Sequence, residues 1–319
     1  MTCFEPVDAV DRASVDHGSV VSIGVFDGVH RGHQALLAAA RERADDTGLP
    51  VVVITFDPHP MSVVGPRVAP PSLASIGQRA RLLQEHGADE VRVLRFDEAL
   101  SRLTPEEFVE RFLVNGANAR DVVVGEDFRF GHRAAGTIAT LAEQGLAHDF
   151  LVTPVALVGD SAQRWSSTHA RALIEAGEVA SAAGVLGRDY GLEGIVVHGD
   201  HRGRELGFPT ANLAWVNGPV LPADGVYAGW LEADHLVYPA AISVGTNPQF
   251  AGTERRVETY VLGRDDLDLY GHEIEVRFVE RIRGQQKFDG VDGLVAQMKV
   301  DVATARRILG HGDEHLPRG

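Results

Sequence analysis

The stretch Ser22–Leu37, SIGVFDGVHRGHQALL, runs from an apolar strand pattern through a glycine-containing turn into a helical pattern. A strand that leads through such a turn into a helix is the basic unit of a parallel α/β sheet. Its turn exposes backbone amides beside the positive end of the helix dipole. His30 and His33 are three residues apart, so both imidazoles lie on one side of the first helical turn. Gly28 and Gly32 lack a Cβ and let a ligand approach the main chain. The stretch therefore predicts a phosphate site, and a surface turn with two solvated histidines is the alternative.

The same organisation continues on both sides of this stretch, up to about residue 186. Short Val/Ile/Leu-rich runs alternate with longer segments of helical period, which predicts a parallel sheet flanked by helices. The predicted strands are Val20–Val25, Val51–Phe56, Glu90–Arg95, Asp121–Val124 and Phe150–Thr153. The predicted helical segments are Gln34–Asp45, Gln78–His86, Pro105–Leu113 and Arg171–Ala176.

Beyond Gly187 the sequence changes to strand-like runs punctuated by Gly, Pro, Asn and Asp. This pattern predicts an antiparallel barrel or sandwich. Near the end, Val291–Leu309 has one apolar stripe at helical spacing, which predicts a single helix packed on the β domain. A short hinge at Leu186–Tyr190 is the predicted boundary between a domain of residues 1–186 and a domain of residues 187–319.

Length and composition limit the classes of function. The chain has 319 residues, of which 44% are hydrophobic and 24% charged, and these values are ordinary for a folded protein of about two domains. The formal net charge of −15 disfavours general nucleic-acid binding. A compact anion such as ATP can still bind, because helix N-termini and backbone amides create a local positive field.

The cysteine content and the hydropathy of the chain indicate its cellular compartment. Cys3 is the only cysteine, so the chain has no intrachain disulfide and a reducing cytoplasm is expected. No stretch approaches the roughly 18 apolar residues of a membrane span, and the acidic start MTCFEPVDAVD lacks the features of a secretory signal. We therefore expect no membrane partner.

Two further segments carry polar side chains suited to phosphates. Trp165–Gly187 begins with the hydroxyls of Ser166, Ser167 and Thr168 and brings Arg171 round one turn later, although a plain helix cap has the same pattern. His198–Leu213, HGDHRGRELGFPTANL, is a Gly-rich basic loop without a Walker A motif. A structural hairpin is the alternative for this loop. Several residues of this second segment could let a ligand approach or supply oxygen donors: Gly199, Gly203, Gly207, Thr210 and Asn212.

Together these motifs resemble a known family, the bacterial bifunctional riboflavin kinases/FAD synthetases. GVFDGVHRGH, TFDPHP, VVGEDFRFG and SSTHAR occur in the order found in that family, and the resemblance extends from about Val20 to about Leu309. It implies a Rossmann-like nucleotidylyltransferase domain followed by an antiparallel β-barrel riboflavin kinase domain with a C-terminal helix. The implied ligands are riboflavin, FMN, FAD, ATP and Mg²⁺, and homo-oligomerisation is left open.

For the first half, the resemblance implies that His30 and His33 hold the ATP phosphates and that the segment Ser166–Arg171 closes over them. FMN would attack the α-phosphorus of ATP and expel pyrophosphate. Further residues implied in nucleotide binding are Gly24, Phe26, Asp27, Gly32, Ser166, Ser167 and Thr168. The flavin-side residues implied are Asp57, His59, Asp127, Phe128 and Arg129.

For the second half, the resemblance implies that Thr210 and Asn212 hold Mg²⁺ and ATP, with Gly203 and Gly207 beside the nucleotide. Glu258 would be the base that accepts the proton of the ribityl 5′-hydroxyl as this hydroxyl attacks the γ-phosphorus. Without the resemblance, Glu258 would be interpreted as a strand-surface residue paired with a neighbouring arginine.

Three other functions remain open on the sequence alone. Only one of the two domains could be catalytically competent. A flavin-binding regulator could keep the pockets without turnover, although the intact polar motifs count against it. An adenylyltransferase with a non-flavin acceptor would explain the first half and leave the second unexplained.

Overall fold

The structure, a computed structural model, describes residues 15–64, 69–156, 159, 164–199, 206–215, 218–246 and 255–310. Cys3 and Gly203 lie outside the described residues. Two compact units are present. The first holds the described residues up to Pro70 together with Ile76–Ser166, and the second holds Pro71–Ser75 and the described residues from Ser167 onward. The sequence-based boundary between residues 186 and 187 stays a prediction.

A parallel sheet forms the centre of the first unit. Its strands are β1 (Ser19–Ile23), β2 (Val51–Asp57), β3 (Glu90–Arg95), β4 (Ala119–Gly125) and β5 (Leu151–Val155). Its α-helices within the described residues are α1 (Arg31–Thr47), α2 (Ile76–Glu85), α3 (Glu98–Ser101), α4 (Pro105–Phe108) and α5 (Ile138–His148). The strand order is β3-β2-β1-β4-β5, with every pairing parallel. The order reverses between β1 and β4, so the ligand crevice is expected at the carboxyl end of β1.

The core of this unit explains why β1 is apolar along its whole length. All five residues of β1 are buried. Val20 packs with Leu37 of α1 on one face of the sheet, and Val21 packs with Phe112 on the other. A strand covered by helices on both faces needs apolar side chains at consecutive positions, which is the signal seen in the sequence. The predicted parallel α/β fold is confirmed.

The second unit contains a closed antiparallel barrel. Its strands are β6 (Tyr190–Val197), β7 (Ala211–Ala214), β8 (Gly225–Ala233), β9 (Leu236–Gly245), β10 (Arg256–Val261) and β11 (Glu273–Gly284). Neighbours follow the order β10-β7-β6-β11-β8-β9, and the pairing of β10 with β9 closes the ring. Asp234 and His235 join β8 to β9 with positive φ at both positions, which matches the right-handed twist of a hairpin.

Three helices accompany the barrel in the described residues: α6 (Ser167–Glu175), α7 (Val179–Leu186) and α8 (Val291–Ile308). Ala305 of α8 packs with Ala228 and Leu262 of the barrel unit. The predicted C-terminal helix on a β-barrel is therefore confirmed. None of the described helices is both long and apolar enough to cross a membrane.

The observed elements refine the predicted bounds. Each predicted strand of the first half overlaps an observed one, and β3 has the predicted bounds Glu90–Arg95. Helix α6 begins at Ser167, before the predicted start at Arg171. The segment predicted as one helix from Pro105 is α-helical only to Phe108 and continues as a π-helical segment, Val109–Val114.

Candidate active sites

The turn between β1 and α1 contains backbone conformations that L-residues rarely adopt. The φ angle is +52° at Phe26 and +39° at Val29, with Gly28 between them at +76°. The side chains of Phe26 and Val29 are fully buried, and this packing holds the turn in one shape. Such conformations cost about 1–3 kcal/mol each and are concentrated at functional sites. Gly24 belongs to the same packing, because a Cβ there would lie 3.2 Å from the Phe26 ring.

His30 caps helix α1. Its Nδ1 atom accepts a hydrogen bond from the backbone N–H of Gly32 at 3.1 Å, which explains why the helix begins at Arg31 rather than at the predicted Gln34. A ring nitrogen that accepts carries no proton, so a neutral His30 bears its hydrogen on Nε2. A Cβ at Gly32 would lie 3.0 Å from the His30 ring. Gly32 therefore gives the imidazole room to cap the helix.

His33 lies against His30, as the three-residue spacing predicts. Their ring centroids are 3.7 Å apart and nearly parallel, and the edge of Phe26 contacts His33 at 5.1 Å. Burial, together with the charges of His30 and Arg79, holds the pKa of His33 well below its usual value. The Nδ1 atom of His33 is buried without a hydrogen-bond partner among the described residues. His33 is therefore a neutral imidazole at neutral pH.

Asp27 and Arg79 lie beside the histidines, and the sequence did not single out Arg79. Both side chains are buried, and Arg79 Nη2 is 3.9 Å from Asp27 Oδ1. Arg79 Nη1 donates to the Phe56 carbonyl at 3.1 Å and to Thr55 Oγ1 at 3.4 Å. Arginine is usually solvated, but Arg79 precedes the buried Leu82 and Leu83 by three and four residues, and this helical spacing was a sequence signal for its burial.

Asp57, the last residue of β2, and His59, just after it, lie at the same edge of the sheet as the histidine turn. Asp57 ends the strand, and His59 caps a short 3-10 turn at Pro60–Ser62 by accepting a hydrogen bond from Met61 N at 3.1 Å. Both side chains are half-buried. The loop is therefore fixed by local hydrogen bonding, while a flavin contact by either residue stays a prediction.

Residues Asp127–Arg129 follow β4 at this edge. The half-buried Phe128 ring stacks on the buried ring of Phe130 at 5.5 Å. Arg129 is exposed, and exposed Asp127 forms an ion pair with Arg164 at 2.8 Å. Arg164, which the sequence did not single out, brings a second arginine to this loop. One face of Phe128 is thus supported by the core.

The hydroxyl segment divides between the two units. Ser166 belongs to the first unit, whereas Ser167, Thr168 and Arg171 lie on α6 of the second. Within the second unit, Arg171 Nε donates to the Pro71 carbonyl at 3.0 Å. Convergence of these donors on the histidine pair stays a prediction.

The barrel unit contains a cavity of about 480 Å³. Its lining includes Thr210, Asn212 and Glu258, the side chains predicted for the second site. Glu258 pairs across the sheet with Asn212 on β7 and with Ser243 on β9, and directly opposed residues share one face. The side chains of Asn212, Glu258 and Ser243 therefore form a polar row on the cavity wall. The neighbours of Glu258 along β10, Val257 and Thr259, are buried.

The structure explains why two positions of the predicted nucleotide loop are glycine. A Cβ at Gly199 would lie 2.3 Å from the side-chain nitrogen of Asn212, so Gly199 leaves space for that amide. Gly207 has a φ of +82°, which favours glycine. The contact between Gly199 and Asn212 was not predicted from the sequence, because it depends on the pairing of β6 with β7.

Gly199→Ala tests the placement of Asn212. The added methyl group would displace the amide, and a shift of about 1 Å in a positioning group costs about 100-fold in rate. We expect FMN formation from riboflavin to fall by about that factor, while FAD formation from supplied FMN stays near wild type. Gly184→Ala is the matched control, because a Cβ at that helical position has no neighbour within 4 Å. Unchanged FMN formation by Gly199→Ala would contradict the placement.

A partly buried ion pair joins β11 to α8 at the cavity. Two guanidinium nitrogens of Arg283 donate hydrogen bonds to Asp301, Nε to Oδ1 at 2.9 Å and Nη2 to Oδ2 at 2.6 Å. Gln297 Nε2 also donates to Asp301 at 2.9 Å. Gln285 Nε2 donates to the Val244 carbonyl at 3.0 Å and contacts Ser243. These groups extend the polar wall beyond the predicted residues.

The fold and the two polar clusters define a two-part enzyme of phosphate chemistry. A turn with two stacked histidines lies at the switch point of an α/β sheet, and the same chain contains a barrel with a carboxylate, an amide and a hydroxyl on its cavity wall. Comparison with known proteins agrees with this division. A family model described as FAD synthetase matches residues 12–169, and one described as riboflavin kinase matches residues 186–309.

Relatives cover almost the whole chain. The bifunctional riboflavin kinase/FMN adenylyltransferase of Escherichia coli strain K12 is 37% identical over 294 residues, which cover 92% of this chain and 93% of the relative. The protein of the same description from Bacillus subtilis strain 168 is 34% identical over 91% of this chain and 92% of its own. This chain belongs to the bifunctional riboflavin kinase/FMN adenylyltransferase family.

A solved structure is similar over both parts. The crystal structure of a protein described as a macrolide-efflux protein from Streptococcus pneumoniae has a TM-score of 0.84 and 35% sequence identity. It covers 95% of this chain and 98% of its own. Its description names a different activity, and the family assignment rests on the family models and the curated relatives.

Proposed function

We propose that each of the two activities of this bifunctional riboflavin kinase/FMN adenylyltransferase has its own site. The histidine turn of the first unit would serve FAD formation, and the polar row in the barrel cavity would serve FMN formation. The observation that carries this proposal is that the central side chains of each cluster lie within a different compact unit: His30 stacks on His33 in the first, and Glu258 lies opposite Asn212 in the second. Residues 1–186 and 187–319 are the proposed domains, whereas α6 and α7 belong to the second compact unit.

In FAD formation, a phosphate oxygen of FMN bonds to the α-phosphorus of ATP. The bond from this phosphorus to the bridging oxygen breaks, and pyrophosphate leaves. The attacking oxygen is already ionised, so the step needs alignment and charge stabilisation rather than a base. His30 and neutral His33 suit this task as hydrogen-bond donors, and the positive end of the 17-residue helix α1 adds to the field.

Other predicted residues complete the proposed adenylylation site. Backbone amides of the strained turn, together with Gly24, Phe26, Asp27 and Gly32, would shape the phosphate pocket. The hydroxyls of Ser166, Ser167 and Thr168 and the guanidinium of Arg171 are the proposed further donors to the triphosphate. The loops that follow β2 and β4 are the proposed flavin side, through Asp57, His59, Asp127, Phe128 and Arg129. The supported face of Phe128 favours ring stacking there.

In FMN formation, the 5′-hydroxyl of riboflavin bonds to the γ-phosphorus of ATP as ADP leaves. This hydroxyl must lose its proton, so a base is useful here and a carboxylate can supply it. Glu258 is the proposed base because it is the carboxylate of the polar row. ATP would lie beside Thr210, Asn212 and the loop that contains Gly203 and Gly207.

Magnesium is the proposed metal of the second site. The Thr210 hydroxyl and the Asn212 amide oxygen are hard neutral donors, which Mg²⁺ uses together with substrate phosphates. Both residues line the cavity, and the absence of a side chain at Gly199 leaves the Asn212 amide its place there. When bound, the ion would neutralise charge on the ATP phosphates.

The proposed location is the cytoplasm, and the proposed partners are small molecules. A chain whose one cysteine is Cys3 suits a reducing compartment, and ATP is available there. The net charge of −15 supports the absence of a nucleic-acid partner. Activity confined to the membrane fraction of cells would contradict this placement.

The purified protein tests the proposed function directly. Incubation with riboflavin and magnesium-ATP, followed by chromatographic separation of the flavins, should show FMN first and FAD afterwards. Tight flavin binding without ATP consumption would instead indicate a regulator. Formation of FMN without FAD would show that only the barrel is competent.

A further inference from the structure

Buried Arg79 differs in its contacts from buried Arg92 and half-buried Arg283. Arg283 grips both carboxylate oxygens of Asp301, and Arg92 grips both oxygens of Glu90 at 2.5 and 3.1 Å. The carboxylate contact of Arg79 is to Asp27 at 3.9 Å, which is beyond hydrogen-bond distance. Its Nε atom has no hydrogen-bond partner among the described residues. Its charge is therefore only partly compensated.

The contacts of Arg79 connect it to the histidine turn. Arg79 Nη1 donates to Thr55 Oγ1, and the Thr55 hydroxyl itself donates to the Val25 carbonyl at 3.0 Å. Val25 begins the turn that leads through the strained residues to His30. Through Thr55 and Asp27, the guanidinium therefore supports the turn from the side of α2.

The charged groups around His33 show what this positive charge does. His33 is faced by His30 from its own turn and by Arg79 from α2, while the carboxylates of Asp27 and Asp57 face Arg79. Burial lowers the pKa of Arg79 and the two carboxylates raise it, but an arginine stays protonated in a protein. A permanent cation beside two stacked imidazoles disfavours a further positive charge on either ring.

We propose that Arg79 is a positioning residue for FAD formation, which fixes the β1–α1 turn through Thr55 and Asp27 and keeps His33 a neutral hydrogen-bond donor beside His30, beneath the nucleotide phosphates. The proposal rests on the proposed function of the histidine site. It assigns Arg79 no contact with a substrate.

Two substitutions in the full-length enzyme separate charge from shape. Arg79→Met removes the charge and keeps most of the volume, whereas Arg79→Lys keeps the charge. Arg92→Met is the matched control, because it removes a buried arginine from β3 at the edge of the same sheet. Riboflavin phosphorylation by the same chain reports on the barrel unit in every variant.

The rate of FAD formation against pH is the first readout. Arg79→Met should lower kcat by about 100-fold, as expected for a misplaced positioning group. It should also move the acid limb of the profile to higher pH, because loss of the cation lets His33 bind a proton more readily. Arg79→Lys should keep the acid limb of the wild type and recover most of kcat, and Arg92→Met should leave the limb in place.

Histidine ring NMR of the unliganded enzyme is the second readout and does not depend on activity. His33 should titrate at higher pH in Arg79→Met than in wild type or Arg79→Lys. An acid limb and a His33 titration that are the same in all variants would overturn the proposal, as would an Arg79→Lys variant that behaves like Arg79→Met. If the titration moves as expected but His30→Ala still forms FAD, the proposed function fails and the coupling of Arg79 to His33 stands.

Discussion

His30→Ala is expected to lower the kcat of FAD formation from FMN by about 100- to 1,000-fold, the usual cost of losing one aligned hydrogen-bond donor to a developing charge. The substitution removes the imidazole that stacks on His33 at 3.7 Å. Riboflavin phosphorylation by the same protein should stay within about twofold of wild type, because independent sites are additive. Rates of both reactions, measured on one preparation, check this prediction.

His30→Asn separates ligand binding from helix capping. Asparagine is a good N-cap residue and can accept the hydrogen bond from Gly32 N that His30 accepts now. If the ring acts on the phosphates, His30→Asn should be as inactive in FAD formation as His30→Ala. Recovery of FAD formation by asparagine would show that His30 only caps α1.

Glu258→Gln is expected to lower the kcat of riboflavin phosphorylation by about 100- to 10,000-fold, the range for loss of a general base. Glutamine keeps the shape of the side chain on the cavity wall but cannot accept the hydroxyl proton. FAD formation from supplied FMN should continue. Stopped assays with riboflavin or FMN as the flavin substrate measure the two rates.

Glu273→Gln is the matched control for this carboxylate. Glu273 is an exposed residue of barrel strand β11, so its substitution should leave both activities unchanged. Kinase turnover that is unchanged in Glu258→Gln would remove Glu258 from the proposed mechanism. A fall of FAD formation in parallel with the kinase rate would contradict separate sites.

Local patterns predicted much of the fold. The apolar run of β1 and the His30–His33 spacing are contained in Ser22–Leu37, so the strand, the turn and the neighbouring rings could all be inferred. Closure of the barrel could not, because a period of two is the same in a barrel and in a sandwich. Only the pairing of β10 with β9 distinguishes them.

The unpredicted parts of the sites depend on contacts between distant segments. Arg79 shares a helix face with the buried Leu82 and Leu83, and it lies beside the histidine turn because α2 packs at the end of β2. Arg283 and Asp301 are separated along the chain and pair because α8 lies on the barrel. Gly199 is explained by Asn212, a residue on the neighbouring strand.

Complementation between two variants tests the claim of separate sites most directly. With riboflavin and magnesium-ATP, His30→Ala alone should accumulate FMN, and Glu258→Gln alone should form almost no product. Their mixture should convert riboflavin to FAD, since FMN released by one protein can be adenylylated by the other. Loss of both activities in either folded variant, or a mixture that forms no FAD although FMN accumulates, would contradict two independent sites.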